Sequence, residues 1–115
     1  MVSVFVTDPS GDVRVLEPDD SAQVAGMERT RTELWASSSV RATGARFLPV
    51  LAERDLWVWP DEVDAFLAEC ETVSTRLPEV AAKTGYDPDY VRARLDNIIK
   101  ACARAARLSG GVVVW

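Results

Sequence analysis

The chain has 115 residues, with 48% apolar and 27% charged side chains, which is enough for one domain around one hydrophobic core and excludes disordered, collagenous and coiled-coil classes. It contains no histidine, so the commonest general base and the commonest transition-metal ligand are both missing. The net charge of −5 repels phosphate backbones and anionic membrane surfaces.

Val2, Val4 and Val6 alternate with Ser3, Phe5 and Thr7, a period of two that predicts a strand. Asp8-Pro9-Ser10-Gly11-Asp12 is turn-forming throughout, and Val13-Arg14-Val15-Leu16 resumes the alternation, so a β-hairpin is expected. The loop's two aspartates and serine are too few ligands for a calcium site. Residues 19–44 are harder to read. Asp19-Asp20-Ser21 offers helix N-caps but Gly26 interrupts what should follow, and Arg29 through Leu34 can be read as an alternating strand. A short helix from about Glu33 to Thr43, ended by Gly44, is expected, although Ser37-Ser38-Ser39 makes a poor helix interior. Without a histidine nearby, those serines are expected to be polar surface rather than nucleophiles.

Leu56 and Val58 alternate with Trp57 and Trp59, so a strand here is apolar on both faces and is either covered twice or exposed at a contact surface. Pro60 suits the first position of a helix, and Asp61, Glu62 and Asp64 suit its positive end. Val63, Phe66, Leu67, Cys70, Val73 and Leu77 then follow at helical spacing. The outer face of this helix, with Asp61, Glu62, Glu69 and Glu71, is acidic. Pro78 opens a short helix that Gly85 ends. Asp87 and Pro88 start a long helix with a buried stripe of Val91, Leu95, Ile98, Cys102 and Ala105, widened by Ile99, Ala103 and Ala106. Gly110-Gly111 stops it, and Val112-Val113-Val114-Trp115 is a final strand expected to dock into the sheet.

Cys70 and Cys102 lack metal-ligand spacing and fall on the helical stripes, where free cysteine packs as a small hydrophobe. The N-terminal residues do not form a signal peptide and no apolar run is long enough for a membrane span, so a cytoplasmic protein is expected. Charge is unevenly spread: residues 1–82 hold 15 acids and 7 bases, and residues 83–115 hold 3 acids and 6 bases.

Residues 77–95, LPEVAAKTGYDPDYVRARL, resemble a helix-turn-helix, with Ala81 allowing close approach, Gly85 turning and Val91 packing the second helix on the first. That resemblance implies DNA binding in which Arg92, Arg94 and Lys100 neutralise phosphates, although Asp87 and Asp89 stand where the second helix would meet the duplex. The expected fold is a single α+β domain over residues 1–115. The N-terminal hairpin and the C-terminal strand form a small, mostly antiparallel sheet packed against a helical layer. The leading functional expectation is a non-catalytic protein-binding module needing no cofactor or metal. A small acidic domain of this kind has the physical profile of an inhibitor of a basic partner, as immunity proteins and antitoxins are. Its expected contact residues are Trp57, Trp59, Asp61, Glu62, Glu69 and Glu71, and a DNA-binding regulator acting through residues 77–107 is the alternative.

Overall fold

Alternating valines near the N-terminus form the hairpin that their period predicts. The computed structural model describes residues 1–16 and 29–115, and the expected N-caps at Asp19–Ser21 and the interruption at Gly26 lie outside the described residues. Strands β1 (Val2–Thr7) and β2 (Val13–Val15) pair antiparallel with Phe5 opposite Val15. The Asp8 carboxylate accepts hydrogen bonds from the Ser10 hydroxyl (2.6 Å) and from the backbone N–H groups of Asp12 (2.9 Å) and Ser10 (3.0 Å), and Gly11 takes φ +92°. These bonds, the Ser10 hydroxyl first, hold the Asp8 carboxyl below its usual range. The loop is thus an Asx-type turn closed on its own backbone.

The helix expected over 33–43 is broken in two. A π-helical turn, Arg31–Trp35, comes first, and the four-residue helix α1 (Ser38–Arg41) follows. Ser37 separates them because it is an N-cap: its backbone is extended and its hydroxyl accepts the Val40 N–H at 3.2 Å. Serine competes for backbone donors in this way wherever it can end one turn and start the next. The alternating-strand reading of 29–34 gives way to the π-helical turn, which buries Leu34 and Trp35. Gly44 does turn the chain, at φ +91°. A 3₁₀ helix (Leu48–Ala52) leads to β3 (Leu56–Val58), and a 3₁₀ turn (Pro60–Glu62) leads into α2 (Val63–Thr75).

Pro78 has no N–H to continue the ladder of α2, so the chain breaks at Arg76 and restarts as α3 (Leu77–Thr84), which ends on left-handed Gly85. Helix α4 (Pro88–Leu108) is capped by Asp87, whose carboxylate accepts from the N–H of Asp89 at 2.8 Å. Val91, Leu95, Ile98, Cys102 and Ala105 are buried as their spacing requires. The stripe widens through Ala101, however, while Ala103 and Ala106 are exposed. Ala101 sits three residues after Ile98 and four before Ala105, on the same face, whereas Ala103 is two positions past it and turned by about 200°. The helix ends on Ser109 in the left-handed conformation, one residue before the expected glycine.

Strand β4 (Gly111–Val114) completes a four-stranded antiparallel sheet in the order β2-β1-β4-β3, so the fold is α+β. The register aligns two apolar rows across three strands: Leu56, Val114 and Val2, then Val58, Val112 and Val4. All six side chains are buried beneath helices α2 and α4, joined by Phe66, Cys70, Val73, Leu95 and Ile98 in one core. No described helix is long and apolar enough to cross a membrane.

Candidate functional site

Successive residues of a strand point to opposite faces of its sheet, so one face lies under the helices and the other carries Ser3, Phe5, Val15, Trp57, Val113 and Trp115. Phe5 is fully buried on this second face, where no helix covers it among the described residues. Two features account for that. Gly111 lies directly opposite Phe5 in β4, and a Cβ there would come within 2.4 Å of the Phe5 ring and 2.3 Å of the Val58 carbonyl oxygen. The missing side chain therefore leaves a slot on the strand that the ring fills. Two indoles then close over it: Trp57 lies 5.2 Å from the Phe5 centroid at 60°, and Trp59 lies 5.1 Å away at 79°. The two indoles stack on each other at 6.5 Å.

The outer surfaces of this aromatic cluster face solvent. Trp57, Trp59 and Trp115 are 42%, 43% and 42% exposed, and Met1, Val13 and Val15 add exposed apolar surface. A shallow depression of about 310 Å³ lies between Val15, Asp55, Trp57, Val113 and Trp115. The strand that reads as apolar on both sides is thus covered on one side only. Trp115, Val13, Val15 and the supporting Phe5 belong to the same surface, although sequence reasoning did not single them out. Their signal was parity: once β1, β4 and β3 pair in this register, the odd-numbered residues of all three strands share a face.

The four acids expected beside the tryptophans do not form one patch. Glu69 is half-buried, and its carboxylate accepts the backbone N–H groups of Arg46 (2.5 Å), Phe47 (3.0 Å) and Leu48 (2.9 Å), which anchors the start of the 3₁₀ helix on α2. Glu62 accepts the Trp59 N–H at 3.2 Å. Asp61 and Glu71 are exposed. Glu69 and Glu71, two residues apart, are separated by about 200° around α2. Glu69 serves as a loop anchor, so its expected role as a contact residue is corrected on that ground.

The basic residues of the alternative reading are also divided. Arg92 and Lys100 are exposed, with Asp96 midway between them at helical spacing, a solvated pattern of alternating charge. Arg94 is half-buried, its guanidinium 4.8 Å above the Tyr90 ring. Tyr90 stacks on Tyr86, whose hydroxyl donates to Glu33 at 2.8 Å. The start of α4 is therefore occupied by this aromatic clamp and by Asp87 and Asp89. The Gly85 turn between α3 and α4 does form, but α4 lies as the central helix of the covered face, packed on α2, α3 and β1.

Cys70 and Cys102 are free and buried. Burial pushes the Cys102 thiol up to about 12 and Cys70 well above its ordinary value, which leaves both as inert packing groups. No cluster of acids and cysteines able to hold a metal occurs among the described residues. Compared with known proteins, the chain matches no family model, no curated protein and no solved structure.

Proposed function

We propose that this chain is a non-catalytic, cytoplasmic protein-binding domain that docks the open, tryptophan-bearing face of its sheet onto a basic surface of a partner protein, as an immunity- or antitoxin-type inhibitor does. The observation that carries the reading is the exposure of Trp57, Trp59 and Trp115 on a sheet face that no helix covers among the described residues. At about 250 Å² of surface each, indoles exposed to this degree present roughly 300 Å² of apolar area. That suffices for the centre of an interface that needs about 800 Å² per partner, and tryptophan is the residue most enriched among dominant contacts. The indoles are held in place by Phe5 and by each other, so little ordering entropy is lost on binding.

Charge selects the partner. Two copies meeting on this face would each bring a net charge of −5, whereas a basic protein would be attracted and its association speeded. Asp61, two residues beyond Trp59, supplies an exposed carboxylate at the rim. Both thiols lie in the core, and Glu62 and Glu69 accept backbone N–H groups.

The test is affinity capture followed by binding with the purified partner. The partner should be basic, its affinity should fall at least a hundredfold on W57A/W59A, and D61K should slow association at low salt. The triple change R92A/R94A/K100A should leave it intact. A sequence-specific shift of duplex DNA at physiological salt, abolished by that triple change, would replace this reading with DNA binding.

A further inference from the structure

Strand β3 is an edge strand, and the register defines which of its backbone groups are free. Met1 and Trp115 exchange hydrogen bonds in both directions, and bonded pairs recur at every second residue of an antiparallel ladder. Val113 therefore turns its N–H and C=O to β1, while Val112 and Val114 turn theirs to Val58 and Leu56 of β3. By the same alternation the N–H and C=O of Trp57 point away from the sheet, along the open edge. The strand cannot be extended past Trp59, whose N–H donates to Glu62 Oε1 and whose carbonyl accepts the Glu62 N–H at 2.8 Å.

A groove of about 440 Å³ runs along this edge. One wall is β3 with Trp57 and Trp59, and the other is formed by Phe47 and Val50. Four charged residues also line it: Arg46, Arg54, Asp55 and Glu62. Both acids are already engaged, Asp55 with the Arg31 guanidinium and Glu62 with the Trp59 N–H. The two arginines are exposed, and neither guanidinium has an anionic partner among the described residues; that of Arg46 lies 5.8 Å from the Phe47 ring. The groove thus combines apolar walls, a pair of strand hydrogen-bonding groups unused among the described residues, and a net positive charge: two arginines against one carboxylate, Glu62, that has no cationic partner among the described residues.

We propose that this groove binds an extended acidic peptide segment as a fifth strand, added along β3. The segment's backbone pairs with the N–H and C=O of Trp57. Its side chains on the helix side of the sheet rest on Phe47 and Val50, and its carboxylates meet Arg46 and Arg54. Backbone pairing of this kind supplies affinity, and alternate side chains and charge supply specificity. The groove adjoins the open face and shares Trp57 and Trp59 with it. Arg46 and Arg54 belong to the groove and Trp115 to the open face, however, so R46Q/R54Q and W115A let either site fail without the other.

Selection from a random octapeptide library displayed on phage tests this, followed by titration of the enriched peptides in synthetic form. Acid-rich extended sequences should be enriched, and their affinity should fall at least tenfold on R46Q/R54Q and with rising salt. Methylating the peptide nitrogen that faces Trp57 should cost a further tenfold. Amide exchange at Trp57 should slow on binding to the unmodified protein, a readout that needs no variant to fold. Failure to enrich any peptide, enrichment of basic sequences, or equal binding by R46Q/R54Q without protection at Trp57 would overturn the proposal. Binding lost on W115A but kept by R46Q/R54Q would move the peptide to the open face and equally overturn it.

Discussion

The two faces of the sheet are made by the same strands at alternate positions, yet they solve different problems. On the covered face, six aliphatic side chains in two rows meet the stripes of α2 and α4, and burial is completed by elements distant in sequence. On the open face, Phe5 is buried just as fully, but by its strand neighbours: a glycine beneath it and two indoles above. The covered face needs the helical layer to exclude water. The open face excludes water from Phe5, Val113 and Ser3 along its middle strands, and leaves the outer surfaces of its tryptophans exposed. An apolar surface so arranged contributes little to folding and is available for binding, and this difference separates the stabilising residues from the candidate contact residues.

The largest effect should come from the covered face. Leu56→Ala removes a buried side chain from the middle of the core and should destabilise by about 2–5 kcal/mol, read from the denaturant midpoint. Glu69→Ala follows, since three backbone N–H groups lose a charged acceptor. About 1.5–3 kcal/mol is expected, while the exposed Glu71→Ala should stay within about 0.5 kcal/mol of the parent. Equal effects from the two glutamates would contradict the anchoring role.

Gly111→Ala probes the open face from below. Its Cβ would collide with the Val58 carbonyl and the Phe5 ring, so an overpacking cost of about 1–3 kcal/mol is expected, with a changed tryptophan fluorescence as the indoles shift. Trp57→Ala, one residue along from Leu56, should cost only about 0.5–1.5 kcal/mol of stability, mainly its ring contact with Phe5. A loss as large as that of Leu56→Ala would show that the two faces are not energetically distinct.

The smallest effect at neutral pH concerns the thiols. Both folded-state values lie above the ordinary value of 9.0, so the folded protein holds these protons more tightly than the unfolded chain. Their stabilisation is complete below pH 9 and is lost as pH rises from there through the folded values. The melting temperature should therefore fall above pH 9, more steeply in the parent than in C70A/C102A, and native thiols should react slowly until the chain unfolds.

Where local chemistry governs the chain, the sequence is readable. The valine alternation, the caps at Asp87 and Gly85, Pro78, and the stripe from Val91 to Ala105 each act within one or two turns of backbone, and the structure has them as expected. The split at Ser37 was also locally signalled, by three serines in a short helix, but whether such a serine ends a helix or decorates it depends on what packs around Leu34, Trp35 and Val40. Glu69 shows the opposite case. Its partners are 21 to 23 residues away, and nothing in the spacing of a surface glutamate distinguishes a solvated carboxylate from one that caps a distant loop.

Composition, period and capping chemistry by themselves determined an α+β domain with a hairpin, three amphipathic helices and a docked C-terminal strand, because those signals act between near neighbours. Tertiary structure alone decided that Trp57 and Trp59 face solvent, that Trp115 joins them, and that Phe5 needs Gly111. Each of these depends on the register between strands and on which side the helices cover. Strand register is a relation between segments as far apart as residues 5 and 111, and an alternating apolar strand looks the same in sequence whether one of its faces or both are covered.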